Sequence, residues 1–530
     1  MALDGVVPFP PEFAQRYRRL GYWRDRTLDE EFSQLFARHA HRTALIAEGA
    51  AVTYADLGRR ADALAAALYD RGLRRHDRVV MHLPNCVEFL YLYFGLQKLG
   101  VIPILALAAH RRLEIEHFVR LAEAKAYFGP DASLGDEIRR DNPVLRHVVT
   151  LADLRSVSPG SHSPHIEVDP TDPCVLLLSG GTTGIPKLIP RTHNDYLYNS
   201  RAAAAVQDIT ADSRQLCVLP LAHNMPLACP GVQGFLMAGA CVVLGNSPKA
   251  PDVFSAIEQH DVTHVAGVPA LYIRWLGDPE SDRHDLGSVR LLQSGGQRLQ
   301  PEVRKRMADV FPNAFVQENF GMSEGTLFFV RRDAPEEVRM ETVGTPVSPD
   351  DEVRLTDEDG RQVADGEVGE LTVRGPYTLR GYYRAEEYNA RQFTPDGFYR
   401  SGDLMRKHPS GAYLVEGRIK DLINRGGEKI SAEEVENLIL MHPAVRNVAC
   451  VPVADPVLGE RMCACVIARP GALLTLEDLT SFLTALGIAK FKLPERLELM
   501  DDFPLSTFGK VSKKALAEAV RSSASRASGG

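Results

Sequence analysis

The sequence predicts an α/β protein. A large N-terminal domain of helix-covered parallel sheets carries a small β-barrel-like region, and a smaller α+β domain follows it. Three observations lead there. Apolar strand-like runs alternate with helical stretches to about residue 330, the rhythm of parallel sheets covered by helices. After about residue 340, short alternating strands separated by Asp-Gly turns take over. From about Lys420 helices and strands mix again, which sets a boundary near Arg418–Lys420 and predicts domains over 1–417 and 421–530, with 418–420 between them.

The elements follow in order. Thr53-Tyr54-Ala55-Asp56-Leu57 opens a helix with apolar residues at helical spacing, and Gly72 stops it. Arg78–Met81 and Val101–Leu105 read as strands, with a helix over Glu88–Leu99 between them. Cys174–Ser179 reads as a buried strand. Glu352–Leu355 and Gly369–Val373 are short strands beside the turns Asp359-Gly360 and Asp365-Gly366. Further on come a helix over Ala432–Leu440, strands over Val448–Val453 and Met462–Val466, and a helix over Leu476–Leu486. The Ser/Gly/Ala-rich tail Ser522–Gly530 is expected to be disordered.

Composition narrows the function classes. Of 530 residues, 45% are hydrophobic and 25% charged, as in soluble globular proteins. The net charge of −8 leaves no basic excess to neutralise nucleic-acid phosphates. No apolar run reaches the roughly 18 residues of a membrane span, and the N-terminus lacks the basic and apolar regions of a secretory signal. Eight scattered cysteines, several in apolar runs (Cys174, Cys217, Cys241, Cys450), suit free thiols in a reducing, cytoplasmic setting. Cys463 and Cys465 share a strand face, but no second pair lies at zinc spacing.

The strand Cys174–Ser179 runs into Gly180-Gly181-Thr182-Thr183-Gly184-Ile185-Pro186-Lys187. Glycines permit tight turns and close backbone approach. Ser179, Thr182 and Thr183 add hydroxyl donors and Lys187 a charge, so the loop can cradle polyphosphate. It is not the P-loop of kinases and GTPases, because Lys187 follows Pro186 and precedes Leu188.

This loop resembles the phosphate loop of the adenylate-forming superfamily of acyl-CoA synthetases, peptide-synthetase adenylation domains and luciferases. Four further motifs occur in that family's order. Phe320-Gly321-Met322-Ser323-Glu324 resembles its aromatic-Gly-x-Thr-Glu element, and Tyr399-Arg400-Ser401-Gly402-Asp403 its ribose-binding motif. Gly417-Arg418-Ile419-Lys420-Asp421 resembles its hinge, and Pro504-Leu505-Ser506-Thr507-Phe508-Gly509-Lys510 its catalytic lysine motif.

The resemblance implies ATP and Mg²⁺ as cofactors. It implies Lys510 as the cation that bridges carboxylate and α-phosphate, and Glu324 as the Mg²⁺ ligand, a hard oxygen donor. It implies Asp403 on the ribose hydroxyls and Arg418 on ribose or phosphate. Gly295, Gly296, Phe320, Gly321 and Met322 complete the expected ATP site. Lys420 is the implied hinge of a mobile C-terminal domain. His223 is expected at the border between the acid and ATP, without a general-base role, because the carboxylate is already ionised.

Leu221-Ala222-His223-Asn224-Met225-Pro226-Leu227-Ala228-Cys229-Pro230-Gly231 resembles the subgroup of stand-alone aryl-acid ligases. So do Val7-Pro8-Phe9-Pro10, Gly21-Tyr22-Trp23 and Leu188-Ile189-Pro190-Arg191-Thr192-His193. Amino-acid-activating relatives usually carry Asp at the position of Asn224. Asn removes a partner for a substrate ammonium and can still hydrogen-bond an ortho-hydroxyl. Within the subgroup, dihydroxybenzoate enzymes tend to carry Ser and Val at the positions of Cys229 and Leu327, and salicylate enzymes Cys and Leu, so the resemblance implies salicylate. Ser can bond a 3-hydroxyl, while Cys is a weak donor and Leu fills the space. Met225, Ser294 and Asn319 stand where aromatic or apolar residues are usual. They keep hydroxypicolinate, hydroxyquinaldate and hydroxyanthranilate open.

With no phosphopantetheine attachment motif in the chain, the expected thiol acceptor is a separate aryl carrier protein, with coenzyme A as rival. Neither nucleic acid nor membrane is expected as a partner. A luciferase-like monooxygenase is an alternative on this fold, and so is a non-catalytic binding relative; retention of Lys187, Glu324, Asp403 and Lys510 argues against the second.

Overall fold

The computed structural model describes residues 3–160, 163–179, 186–426, 428–505 and 510–527. Two large sheets, each mainly parallel, take their strands from Thr43 to Pro346. The nine-stranded sheet has at its centre the parallel strands Phe315–Met322, Leu291–Gly295, His264–Gly267, Arg214–Cys217, Cys241–Leu244 and Thr43–Ala47, in that spatial order. The six-stranded sheet runs His147–Thr150, Ala126–Gly129, Arg78–Met81, Ile102–Leu105, Pro173–Leu178 and Leu188–Thr192. Its strands are short apolar runs covered on both faces; Ile102–Leu105, Ala126–Gly129 and Pro173–Leu178 are buried throughout.

The parallel expectation holds in the sheet centres and fails at some edges. Leu188–Thr192 pairs antiparallel with Pro173–Leu178, and Gly325–Phe329 antiparallel with Phe315–Met322. Both are returns after short connections, which cannot supply the crossover that a parallel neighbour needs. The expected helix after Thr53 spans Tyr54–Asp70. Thr53 accepts from Asp56 N and the Asp56 side chain reaches back, a capping box that satisfies the first orphan donors.

The small β region is a four-stranded antiparallel sheet of Glu352–Thr356, Val368–Arg374, Tyr399–Lys407 and Tyr413–Arg418. A 3₁₀ turn, Ile419–Asp421, follows it. Beyond this turn, Leu422–Arg425 begins a five-stranded sheet centred on the long hairpin Val445–Asp455 and Gly459–Ala468. Its helices include Ala432–Ile439 and Leu476–Ala485.

A helix runs Lys513–Ala527. Leu516 and Val520 are buried against Val451, Cys463 and Cys465 of the hairpin. That docking anchors the helix ahead of the Ser/Gly/Ala-rich stretch that begins at Ser522. Residues 528–530 lie outside the described residues. Among the described residues, no helix is long and apolar enough to cross a membrane.

Leu516→Ala removes the fully buried anchor of this helix, at a cost of about 2–5 kcal/mol. Amide exchange over 513–527 is expected to accelerate sharply while the parallel sheets keep their protection. Unchanged protection there would show that the helix is held by something other than Leu516.

Candidate active site

A cavity opens beyond the carboxyl ends of four neighbouring parallel strands. Arg214–Cys217 leads into Leu219, Pro220 and His223; His264–Gly267 into Val268; Leu291–Gly295 into Gly296. Phe315–Met322 ends in Asn319, Gly321 and Met322, and all these following residues line the cavity. Ligands of open α/β sheets bind at this end of the strands, where loops diverge. The cavity holds about 600 Å³ of empty space, its mouth included.

Lys510 reaches the cavity from the C-terminal part of the chain. Its side chain lies against Gly296, where an added Cβ would stand 2.6 Å from Lys510 Cε. Gly296 also has φ +86°, so a glycine both makes the turn and clears the lysine. Packing around the ammonium, then Arg418, push Lys510 down to about 8, against Asp403. His223 also lines the cavity. It caps the short helix Asn224–Ala228, its Nδ1 accepting from Met225 N at 3.3 Å. Burial, then Lys510, push it down to about 3, so the ring stays neutral with its proton on Nε2.

The expected aryl-acid residues are mostly brought together. Asn224, Met225, Cys229, Asn319 and Leu327 all line the cavity. Asn224 Oδ1 accepts from Tyr196 Oη at 3.0 Å. Burial pushes the Cys229 thiol up to about 12, so it remains a neutral weak donor. Ser294 departs from expectation. It is fully buried, its Oγ has no hydrogen-bond partner among the described residues, and it is not in the cavity lining. Side chains alternate along a strand; Gln293 reaches Cys229 O and Asn319, so Ser294 projects from the other face. Gly295 is buried opposite Asn319, and an added Cβ there would stand 2.6 Å from Asn319 Oδ1.

On the nucleotide side, Asp403 and Arg418 are register partners in the small sheet, with Arg418 Nε donating to Asp403 Oδ1 at 2.7 Å. Glu324 is buried and accepts from Tyr382 Oη at 2.8 Å, and Tyr382 in turn meets Tyr399 Oη at 2.9 Å. Burial raises the Glu324 pKa, so its negative charge is under-compensated. A carboxylate in that state fits a hard cation. Lys187 Nζ sits 3.9 Å from the Tyr388 ring centroid, and burial lowers its pKa against the pull of Glu324. Ser179 and Lys187 close the neck of the phosphate loop: Ser179 N donates to Lys187 O, and Lys187 N to Ser179 Oγ, each at 2.9 Å. Gly180, Gly181, Thr182, Thr183 and Gly184 lie outside the described residues. Phe320 packs edge-on to Phe328 at 5.8 Å rather than lining the cavity. Lys420 occupies the 3₁₀ turn between the two antiparallel sheets.

Several residues of the site were not singled out from sequence. Arg191 is fully buried, pairs with Asp195 at 2.7 Å, and donates to the carbonyls of Ser323 and Tyr377, each at 3.1 Å. Val268, Tyr196, Tyr382, Tyr388 and Gln293 also belong to it, and only their places in space reveal this.

The AMP-binding enzyme model matches residues 32–383, and the AMP-binding enzyme C-terminal domain matches 434–510. The chain therefore belongs to the adenylate-forming family of AMP-binding enzymes, which use ATP. It is 45% identical to a salicylyl-CoA synthase / salicylate adenylyltransferase of a Streptomyces species, over 99% of each chain. It is 44% identical to the 2,3-dihydroxybenzoate-AMP ligase of Bacillus subtilis, over 98% of each. Among solved structures, apo MbtA of Mycobacterium smegmatis is 42% identical, covers 97% of this chain and 98% of its own, and superposes with a TM-score of 0.75. These relatives place it in the stand-alone aryl acid-AMP ligase subgroup.

Two outcomes are expected here. Lys510 is cationic below about pH 8 and neutral above it, so kcat/KM for adenylation falls as pH rises through that value. Lys510→Arg moves this limb to higher pH; an unmoved limb would assign it to another group. Arg191→Met leaves Asp195 buried without its cation, a loss of about 3–5 kcal/mol. Thermal unfolding is expected to fall by many degrees, and a near-native midpoint would show that the pair is not required.

Proposed function

We propose that this enzyme activates a 2-hydroxyaryl acid as its acyl-adenylate, with salicylate as the parent substrate, and then passes the acyl group to a thiol on a separate aryl carrier protein. The observation that carries the reading is the convergence of Lys510, His223 and Asn224 on one cavity whose lining also includes Cys229 and Leu327. A carboxamide at 224 offers no charge to a substrate ammonium, and Tyr196 already occupies its oxygen. Its N–H remains for an ortho-hydroxyl oxygen or a carboxylate.

In the first step the acid's carboxylate oxygen forms a bond to the α-phosphorus of ATP. The bond from that phosphorus to the pyrophosphate oxygen breaks, and pyrophosphate leaves with the electron pair. Lys510 stabilises the charge that builds on the α-phosphate oxygens, the kind of preorganised electrostatic effect that usually dominates such reactions. Neutral His223 borders the acid and keeps its shape without adding charge. Asp403, held by Arg418, receives the ribose hydroxyls. Glu324 and its tyrosine partners would hold Mg²⁺, which neutralises phosphate charge when bound. In the second step the thiolate attacks the acyl carbon and AMP leaves. Coenzyme A is the rival acceptor, and the Streptomyces relative named as a salicylyl-CoA synthase favours keeping it in the test.

Acid-dependent ATP–pyrophosphate exchange tests the reading on a panel of 2-hydroxyaryl acids, benzoate, amino acids and a fatty acid. Exchange is expected with the 2-hydroxyaryl acids, falling about 10²–10³-fold in Lys510→Ala. Exchange with amino or fatty acids alone would overturn the reading. Asn224→Asp buries an unpaired carboxylate and is expected to raise the KM for the acid strongly. Acyl transfer to a phosphopantetheinylated aryl carrier protein, run against coenzyme A, decides the acceptor.

A further inference from the structure

We propose that the preferred acid carries a second hydrogen-bond acceptor on its ring, besides the ortho-hydroxyl, and that the side-chain amide of Asn319 holds it. The inference rests on the reading of this cavity as a 2-hydroxyaryl-acid site.

Three amides in a row fix which way Asn319 faces. Gln207 Nε2 donates to Gln293 Oε1 at 3.0 Å. Gln293 Nε2 donates to the carbonyl of Cys229 at 2.9 Å and to Asn319 Oδ1 at 3.2 Å. The Cys229 carbonyl can only accept, so the Gln293 atom facing it must be its NH₂. The Asn319 atom facing that NH₂ must then be its oxygen. This settles an orientation that an isolated amide leaves open. All three side chains are buried.

The remaining half of the Asn319 amide is two N–H donors. Among the described residues nothing accepts from them, and Asn319 lines the cavity. Gly295 opposite leaves the space this carboxamide needs, since an added Cβ would stand 3.0 Å from Nδ2. These donors open onto the cavity, where the ligand would sit, and a ligand that displaces water from them must offer an acceptor in its place. The other side chains of the lining are largely apolar, with Met225, Cys229, Val268 and Leu327 among them. Asn224 also lines the cavity, its Oδ1 accepting from Tyr196 Oη. The pocket thus sets two carboxamides, beside Lys510, His223 and Ser323, on a largely apolar lining. Salicylate has one ortho-hydroxyl beside its carboxylate, and its remaining ring positions bear only C–H. The shared chemistry of a better fit is a lone pair on the ring, from a ring nitrogen or a further ring oxygen.

The test is ATP–pyrophosphate exchange on the full-length enzyme. It compares kcat/KM for salicylate, 3-hydroxypicolinate (ring nitrogen) and 2,3-dihydroxybenzoate (ring oxygen). At least one of the latter two is expected to exceed salicylate by about tenfold or more, since a site built to hydrogen-bond a group discriminates against the analogue lacking it. Which of them does so identifies the source of the lone pair. Asn319→Val is expected to bring that ratio close to one. Asn319→Asp keeps the size and the bond from Gln293 but replaces the donor with an acceptor, and should lower the ratio similarly if the valine variant folds poorly. Salicylate turned over as well as the others, or a ratio indifferent to Asn319, overturns this inference alone. No exchange with any of the three acids overturns the site reading beneath it.

Discussion

The buried guanidinium of Arg191 joins chain segments far apart in sequence: an edge strand of the six-stranded sheet, the helix His193–Ala204 through Asp195, the Ser323 carbonyl beside Glu324, and the Tyr377 carbonyl. A planar fork with several donors suits such a junction better than a lysine. Asp195 also accepts from Thr192 N and Thr192 Oγ, so the same carboxylate caps the helix. The turn that carries Glu324 is therefore held by an ion pair in the interior rather than by the loop itself. Gly325 completes this turn at φ +119°, where an added Cβ would stand 2.3 Å from the Tyr377 carbonyl oxygen, so no side chain fits.

Around this junction the nucleotide and acid halves of the site follow different physics. The nucleotide half is charged and draws on long side chains: Lys187 over a tyrosine ring, Arg418 on Asp403, and Lys510 lowered by its surroundings. The acid half is largely apolar, with neutral polar groups whose hydrogen bonds are directional. His223 stands between the halves, held neutral by burial and by the nearby lysine. A charged imidazole there would repel the nearby Lys510 ammonium.

Much of the fold was legible in the chain. Four- to six-residue apolar runs mark strands covered on both faces, and Thr53-x-x-Asp56 marks a helix start because its two side chains satisfy orphan backbone donors. What escaped depends on docking. The Lys513–Ala527 helix carries little periodic signal of its own, and among its described side chains Leu516 and Val520 are the buried ones that dock it on the hairpin. The antiparallel edges escaped because strand direction is set by the length of the connection, which periodicity does not report.

The site divides in the same way. Residue types in a motif order determined the chemistry from sequence alone: a Gly/Thr loop with Lys187, an acidic Glu324 and Asp403, and a lysine at 510 can stabilise phosphate and ribose wherever the fold brings them together. Only the tertiary structure decided which polar side chains border the cavity. Ser294 and Asn319 look alike in sequence as polar residues at apolar positions. Strand alternation turns Ser294 away from the cavity, while Gln207, Gln293 and the Cys229 carbonyl hold the Asn319 oxygen and leave its N–H donors toward the cavity. The direction of a hydrogen bond is set by its partners, and here those partners come from segments up to about a hundred residues away in the chain.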